Sequence, residues 1–484
     1  MPERNVPKGK ANQVFHWRID WVARGVWTDR ALVLLEDNGD KNKCVFVPLL
    51  RDWGANAETL RTTYIALIRP ILEYGLPVYF CASDSNLQKL ERVQLSAARI
   101  ITGLRNSCPN KIVLYEADLQ PLRFRGGAGL EKYFNKLISY GSHNRTSLFL
   151  RGWKSNQRLK KNSPMSLATE LNLISREVEC HSLKNCINPS EGLLGVFFHT
   201  ELQQAVNKAD TVPAFMKQMA LQLINEIPGV DIQIYTDGSK NEENQSGSGI
   251  YIKTPREVRK MKLRNPDNCS VFRSELLAIE AGLEAILNEN NYRAVWILSD
   301  SRSSIQHLKD WNNVGDRTSI SILKLLRHIG VDHEVHLQWI PSHVDIYGNE
   351  VADNLAKQGT AEPLCSTPSL TFDEIYSIRK NKDLKTWRVP PSHDWYKRSS
   401  PGGSICLSCD RADQTALSRF VSGHLRSCSF SHGNKVFPVC AKCGVASASP
   451  EHILSCLRLS RETFETDPLL ALDFLRVSGL MDGV

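Results

Sequence analysis

Four acidic residues, each set near the end of a strand-like run or in a helix that follows one, constrain this chain more than any other feature. They are Asp237 in IYTDGS, Glu275 in FRSELLAIEAGLEAIL, Asp300 in VWILSDS and Asp353 in GNEVADNLAKQG. A fold that gathers four carboxylates must offset their repulsion with cations, and oxygen-only ligands select hard ions such as Mg²⁺ or Mn²⁺. Two such ions side by side make a phosphodiester-cleaving site.

The local patterns support that gathering. Ile232 and Ile234 alternate with Gln233 and Tyr235, which predicts a half-buried strand ending at Asp237. Gly238 and Ser239 start a turn, and GSGIYI predicts the next strand. Lys260, Lys262 and Arg264 alternate with Met261 and Leu263, a third strand with one basic face. Ser274 and Glu275 open a helix with Leu276, Ile279, Leu283, Ile286 and Leu287 at helical spacing. AVWILSD predicts a buried parallel strand that ends at Asp300. Two helices (SSIQHLKDW, SISILKLLRHIG) and the strand EVHLQWI follow. The loop Pro341, Ser342, His343 then leads to a helix with Val351, Ala352, Leu355 and Ala356 in one stripe and Asp353 beside it. Strand ends of an open α/β sheet are where such sheets place ligands.

Each acid taken singly has a plain structural explanation. Asp237 fits a turn, Glu275 a first helical turn favoured by the dipole, and Asp300 a helix cap; Asn349, beside the fourth acid, fits a cap of the last helix. Their joint occurrence in one order favours a site.

In that order, YTDGS, SELLAIEAGL, ILSDS and WIPSHVDIYGNEVADNLAK resemble a type 1 ribonuclease H domain over roughly 231–360. The resemblance implies an α/β fold, a mixed sheet flanked by helices. It also implies an endonuclease that cuts the RNA strand of an RNA–DNA hybrid with two Mg²⁺ ions. Carried over, Asp237, Glu275, Asp300 and Asp353 would be the metal ligands. His343 would be the mobile-loop histidine that assists proton transfer near the leaving group.

The 484 residues have room for two to four domains. We divide them into a leader at 1–50, a helical region at 51–140, a helical connection at 141–230, the 231–360 domain and a Cys/His-rich region at 361–484. Residues 231–360 carry 15 Lys and Arg against 18 Asp and Glu, a net of −3, so the rest of this +8 chain carries +11. A surface for polyanions is therefore expected outside the acidic domain. MPERNVPKGK is polar, with no apolar run after it, so no signal peptide is expected there. No run reaches the length of a membrane span. The expected setting is intracellular, nuclear or cytoplasmic, with the 13 cysteines mostly reduced.

Residues 1–50 hold three tryptophans and no period, and carry no assignment. ETLRTTYIALIRPILEYG predicts a helix broken or kinked near Pro70. LQKLERVQLSAARIITGL predicts another, with Leu87, Leu90, Val93, Ala97, Ile100 and Ile101 on one face. With VLYEADLQPLRFR, these strings are similar to the thumb segment after the polymerase palm in jockey-like non-LTR retrotransposon reverse transcriptases. That resemblance covers roughly 55–125 and implies the C-terminal part of such a polyprotein, begun inside the thumb behind an unrelated leader. A palm needs a paired-Asp turn, and no Asp-Asp dipeptide occurs here, so DNA synthesis is not expected. In the connection, ELQQAVNKA and AFMKQMALQLINEI are helical patterns.

Cys440, Cys443, His452 and Cys456 have the ligand types and close pairing of a structural zinc site. The surrounding VCAKCGVASASPEHILSC resembles the cysteine-rich tail that follows ribonuclease H in these elements. A looser set, Cys406, Cys409, His424 and Cys428, is a candidate second site. Arg419, Arg426 and Lys442 lie near these ligands in sequence and would suit phosphate contact. The tail is expected to bind nucleic acid without reading sequence, and the 231–360 domain to cut without it. The alternatives to a hybrid-specific ribonuclease are a non-catalytic nucleic-acid-binding remnant and another nuclease or resolvase of the same fold. The four acids with His343 favour the ribonuclease over the remnant. The IPSHV loop and GNEVAD helix favour it over the resolvase.

Overall fold

The run Ile232–Lys240 forms a central strand, β2, of a six-stranded mixed sheet. In this computed structural model the described residues are 35–36, 43–44, 55–141, 144–151, 164–171, 179–202, 211–289, 291–364, 369–405 and 407–484. The other strands are β1 (Val196–His199), β3 (Ser246–Lys253), β4 (Val258–Arg264), β5 (Ala294–Ser299) and β6 (Glu334–Trp339). Their spatial order is β1-β6-β5-β2-β3-β4. The pairs β1–β6, β6–β5 and β5–β2 are parallel, and β2–β3 and β3–β4 are antiparallel. This is the expected α/β architecture, a mixed sheet flanked by helices.

Helices occupy both faces of the sheet. They are α1 (Val271–Glu284), α2 (Arg302–Lys309), α3 (Arg317–Ile329) and α4 (Tyr347–Gly359). On α1, Leu276, Ile279 and Leu283 are buried, each contributing about 1.5–3 kcal/mol of hydrophobic stabilisation. Leu287, expected on the same stripe, is exposed because α1 ends at Glu284. Gln233 and Tyr235 are buried as well, so β2 is covered on both faces rather than one. Close approach of α4 explains this. A Cβ on Gly249 would lie 2.0 Å from the Ala352 carbonyl oxygen.

Two local expectations shift. β2 continues through Gly238 and Ser239 to Lys240, and the chain reverses at 241–245, where Asn244 has φ 64°. α1 begins at Val271, before Ser274, with Ser270 as N-cap accepting from the Arg273 N–H. The strand β1 lies in the segment read as helical connection. Its four residues are too few to show a period, and it is set by pairing Val196 to Val335 through His199 to Gln338. AFMKQMALQLINEI is helical as expected, over Pro213–Glu226. All of the ELQQAVNKA pattern after Leu202 and nearly all of 1–50 fall outside the described residues.

Contacts separate two units. The sheet belongs to Lys132–Lys160 with Asn172–Arg379, and the second unit combines Met1–Glu131, Lys161–Leu171 and Lys380–Val484. The second unit thus joins segments that the sequence reading kept apart. Tyr64, Leu72, Ile101, Leu417, Phe420, Leu472 and Leu475 share one core. The Gln414 side chain accepts from the Ala57 N–H at 2.9 Å, and Glu116, fully buried, accepts from the Tyr396 hydroxyl at 2.7 Å. The helix expected to break or kink near Pro70 instead runs on through it, with a wide turn just before, at Tyr64–Ile68, where the Arg69 N–H reaches the Tyr64 carbonyl. Asp84–Thr102 buries Leu90, Ala97 and Ile101, and stops at Gly103 with φ 69°. Among the described residues no helix is long and apolar enough to cross a membrane.

Candidate active site and metal centres

β2 delivers Asp237, the first turns of α1 deliver Glu275, and the end of β5 delivers Asp300. Carboxylate oxygens of these three residues all lie within 4.8 Å of one another. Gly238 makes the approach possible, since a Cβ there would sit 2.5 Å from the Glu275 backbone nitrogen. Asp237 is 7% exposed and Glu275 6%. Burial first, then the charges of Asp300 and Asp353, push Asp237 up to about 7. Burial, then Asp237 and Asp300, hold Glu275 well above the usual carboxylate range. The Gly238 N–H opposes both shifts. Among the described residues, Glu275 Oε2 is buried with no hydrogen-bond partner. A buried acceptor of this kind beside two further carboxylates fits a hard cation, which would offset the repulsion and satisfy the acceptor together.

Asp353 stands on α4, outside this tight group, and pairs with Lys357 one turn on. It is near enough for its charge to raise Asp237. His343 is exposed in the loop between β6 and α4, with φ 56°, and is not part of the carboxylate group. Asp345 in the same loop has φ 55° and pairs with Lys217 at 3.4 Å. Left-handed backbone at non-glycine residues is uncommon and costs energy, so this loop is held in a specific shape. Asn349 is not a cap: Ile346 is the N-cap, and Asn349 lies inside α4. Its side-chain amide donates to Asp300 Oδ2 at 3.2 Å, while its own Oδ1 is buried without a partner among the described residues. Its place four residues before Asp353, on one helix face, was the signal for a site role.

A second group assembles in the other unit. One ligand atom each from Cys440, Cys443, His452 and Cys456 lies within 4.8 Å of the rest. Cys443 Sγ is 3.3 Å from His452 Nε2. A tetrahedral zinc ion would set its ligands roughly 3.5 Å apart. The Gly444 N–H returns to the Cys440 carbonyl at 2.8 Å, with Gly444 at φ 67°. Backbone N–H groups of Ala446 and Val445 hold the Cys443 thiol down, to about 6. His452 and Cys456 come from one face of the helix Pro450–Cys456.

The looser set does not assemble among the described residues, and Cys406 lies outside them. Cys409 and His424 flank opposite ends of the helix Arg411–Ser422, which at 1.5 Å per residue keeps them roughly 18 Å apart. Arg419 does not face outward for phosphate: it is partly buried and donates to the Gly103 carbonyl at 3.2 Å. Arg426 and Lys442 are exposed.

Residues 230–361 match the RNase H family model. The chain carries an RNase H domain. Ribonuclease H of Orientia tsutsugamushi (strain Boryong) is 27% identical over 161 residues, 31% of this chain and 92% of that protein. Ribonuclease H of Campylobacter jejuni subsp. jejuni serotype O:23/36 (strain 81-176) is 26% identical over 133 residues, 26% of this chain and 89% of that protein. The Pol polyprotein of equine infectious anemia virus (strain Wyoming) is 30% identical over 142 residues. That match spans 28% of this chain and only 11% of the polyprotein's length. All four acids, Asn349 and His343 fall inside the RNase H domain. The strand β1 and the residues beyond 361 do not.

Proposed function

We propose that this chain is an endonuclease that hydrolyses the RNA strand of RNA–DNA hybrids, and that it derives from a retrotransposon polyprotein. The observation that carries the hydrolase reading is the close Asp237–Glu275–Asp300 group, its first two members buried, with the Glu275 oxygen that has no hydrogen-bond partner among the described residues. Asp237, Glu275 and Asp300, with Asp353 on the rim, would hold two Mg²⁺ or Mn²⁺ ions. Bound there, such ions supply the charge that activates the attacking water and stabilises the leaving 3′ oxygen. Asn349 orients Asp300 through its 3.2 Å hydrogen bond. Lys357 pairs with Asp353 one turn along α4. His343, exposed on its shaped loop, is free to meet substrate and pass a proton near the scissile phosphate. The retrotransposon origin is supported by the Pol polyprotein match and by the thumb-like helices at 57–125. A structural Zn²⁺ at Cys440, Cys443, His452 and Cys456 would complete the second unit, which carries the basic excess suited to nucleic acid.

Incubation of the full chain with hybrid labelled in its RNA strand, in Mg²⁺ and then in EDTA, tests this reading. RNA cleavage in Mg²⁺ and none in EDTA is the expected result; cleavage that survives EDTA contradicts it. His343→Ala should slow turnover by about ten- to a thousand-fold while metal binding persists. Unchanged turnover across pH 6–9 would make His343 an ordinary surface residue.

A further inference from the structure

Glu275 can serve a metal only if α1 is held in register against β2, and the group that holds it lies outside the RNase H domain. Glu374, in the first turn of the helix Phe372–Arg388, is buried. Its Oε1 accepts from the Ser270 N–H at 2.8 Å and the Ser270 hydroxyl at 3.0 Å. Ser270 is the N-cap of α1. Glu374 Oε2 accepts from Arg273 at 2.9 Å and from the Thr371 N–H at 2.9 Å. A carboxylate at a helix N-terminus is favoured by the helix dipole as well as by these donors. Arg273, two residues before Glu275, is itself buried and donates again to the Ser369 carbonyl at 2.9 Å.

His181 completes the clamp from the other flank. Its Nε2 lies 3.1 Å from Arg273. A guanidinium only donates, so Nε2 must accept and the ring must be neutral. The backbone that carries the ring is held in place, since Ser369–Leu370 pairs in parallel with Glu179–Cys180 and the His181 N–H reaches the Leu370 carbonyl at 2.9 Å. The N-terminus of the helix bearing Glu275 is therefore tied at its cap and its third residue to two segments, one preceding the RNase H domain and one following it.

We infer that Glu374, acting through Ser270 and Arg273 with His181 behind them, is a positioning residue that sets Glu275 at metal-coordinating distance from Asp237. The inference rests on the hydrolase reading of that site. It also means that a fragment cut at 231 and 360 loses both anchors, contrary to the expectation that such a fragment cuts alone.

The test uses the full chain. For Glu374→Gln, the Mg²⁺ concentration giving half-maximal hybrid cleavage should rise about ten-fold, with KM for the hybrid changed by less than about two-fold. Mn²⁺ affinity, titrated calorimetrically without nucleic acid, should fall by a similar factor. Because a lone buried Arg273 can impair folding, a second variant replaces the whole pair, Arg273→Met with Glu374→Met. Such apolar replacement of a buried ion pair is often neutral for stability. This variant should melt like the unsubstituted protein and still show the weakened metal response. Wild-type Mg²⁺ and Mn²⁺ responses in the paired variant would overturn the inference. If the unsubstituted chain fails to cut hybrid, the hydrolase reading falls, and the Mn²⁺ titration still decides the role of Glu374.

Discussion

Asp237→Asn is expected to abolish hybrid cleavage, lowering turnover by about a thousand-fold or more, because it takes several kcal/mol of metal-borne charge stabilisation from the transition state. The substitution keeps the shape of a side chain that is 7% exposed, so the fold should persist. Stability should move the opposite way to activity. Asp237 is pushed up to about 7, from an ordinary value of 3.8, by burial and by Asp300 and Asp353. Between those values the folded, metal-free chain keeps a proton that the unfolded chain releases. Its stability is therefore greatest at the acid end of that window and falls as pH rises through about 7. The loss attributable to Asp237 is up to roughly 4 kcal/mol. The metal-free Asp237→Asn protein should accordingly melt higher than the unsubstituted protein at pH 8, and the gap should close near pH 4. Cleavage kinetics with melting curves in EDTA check both halves. A variant that cuts normally, or one destabilised at pH 8, would contradict the account.

Cys443→Ser is expected to remove one bound Zn²⁺ per chain and to lower sharply the melting transition of the unit containing 57–131 and 380–484. Cys443 is exposed and contributes nothing to the core, so without a metal its replacement should shift stability by no more than about 0.5 kcal/mol. Structural zinc contributes on the order of 10 kcal/mol in small zinc modules. Cys440 is the poorer probe, because it is buried in the core and its loss would disturb packing in either case. Since Tyr64, Ile101, Phe420 and Leu472 share that core, protection against hydrogen exchange should fall in both sequence segments together. Zinc-free protein with an unchanged melting curve in the variant would refute the zinc assignment.

The RNase H-like sheet was legible because its pattern is local. Alternation at Ile232 and Ile234 marks a strand, though not that both its faces are covered, and the apolar run before Asp300 and the stripe on α4 each show within a few residues what is buried. The acids were legible because each closes one of those patterns or lies beside one. Local periodicity says that a face is buried, and leaves open what covers it. The face with Leu90, Ala97 and Ile101 was correctly read as apolar, yet its partners include Leu417 and Phe420, more than 300 residues away. The Glu374 clamp was hidden for the same reason: a lone Glu in the first turn of a polar helix looks like a dipole-favoured surface acid. The plain alternative for Asn349, a cap of the last helix, fails because α4 already begins at Tyr347. Cys409 and His424 looked like partners because linear spacing ignores the rigid helix between them.

The central claim is tested most directly by presenting the full chain, in Mg²⁺, with three substrates of one sequence: RNA–DNA hybrid, duplex DNA and single-stranded RNA. The 2′-hydroxyl is the group that distinguishes an RNA strand from DNA. Cleavage confined to the RNA of the hybrid, leaving 5′-phosphate and 3′-hydroxyl ends, is the predicted result. Equal cutting of duplex DNA, or no cutting of the hybrid at all, would contradict it.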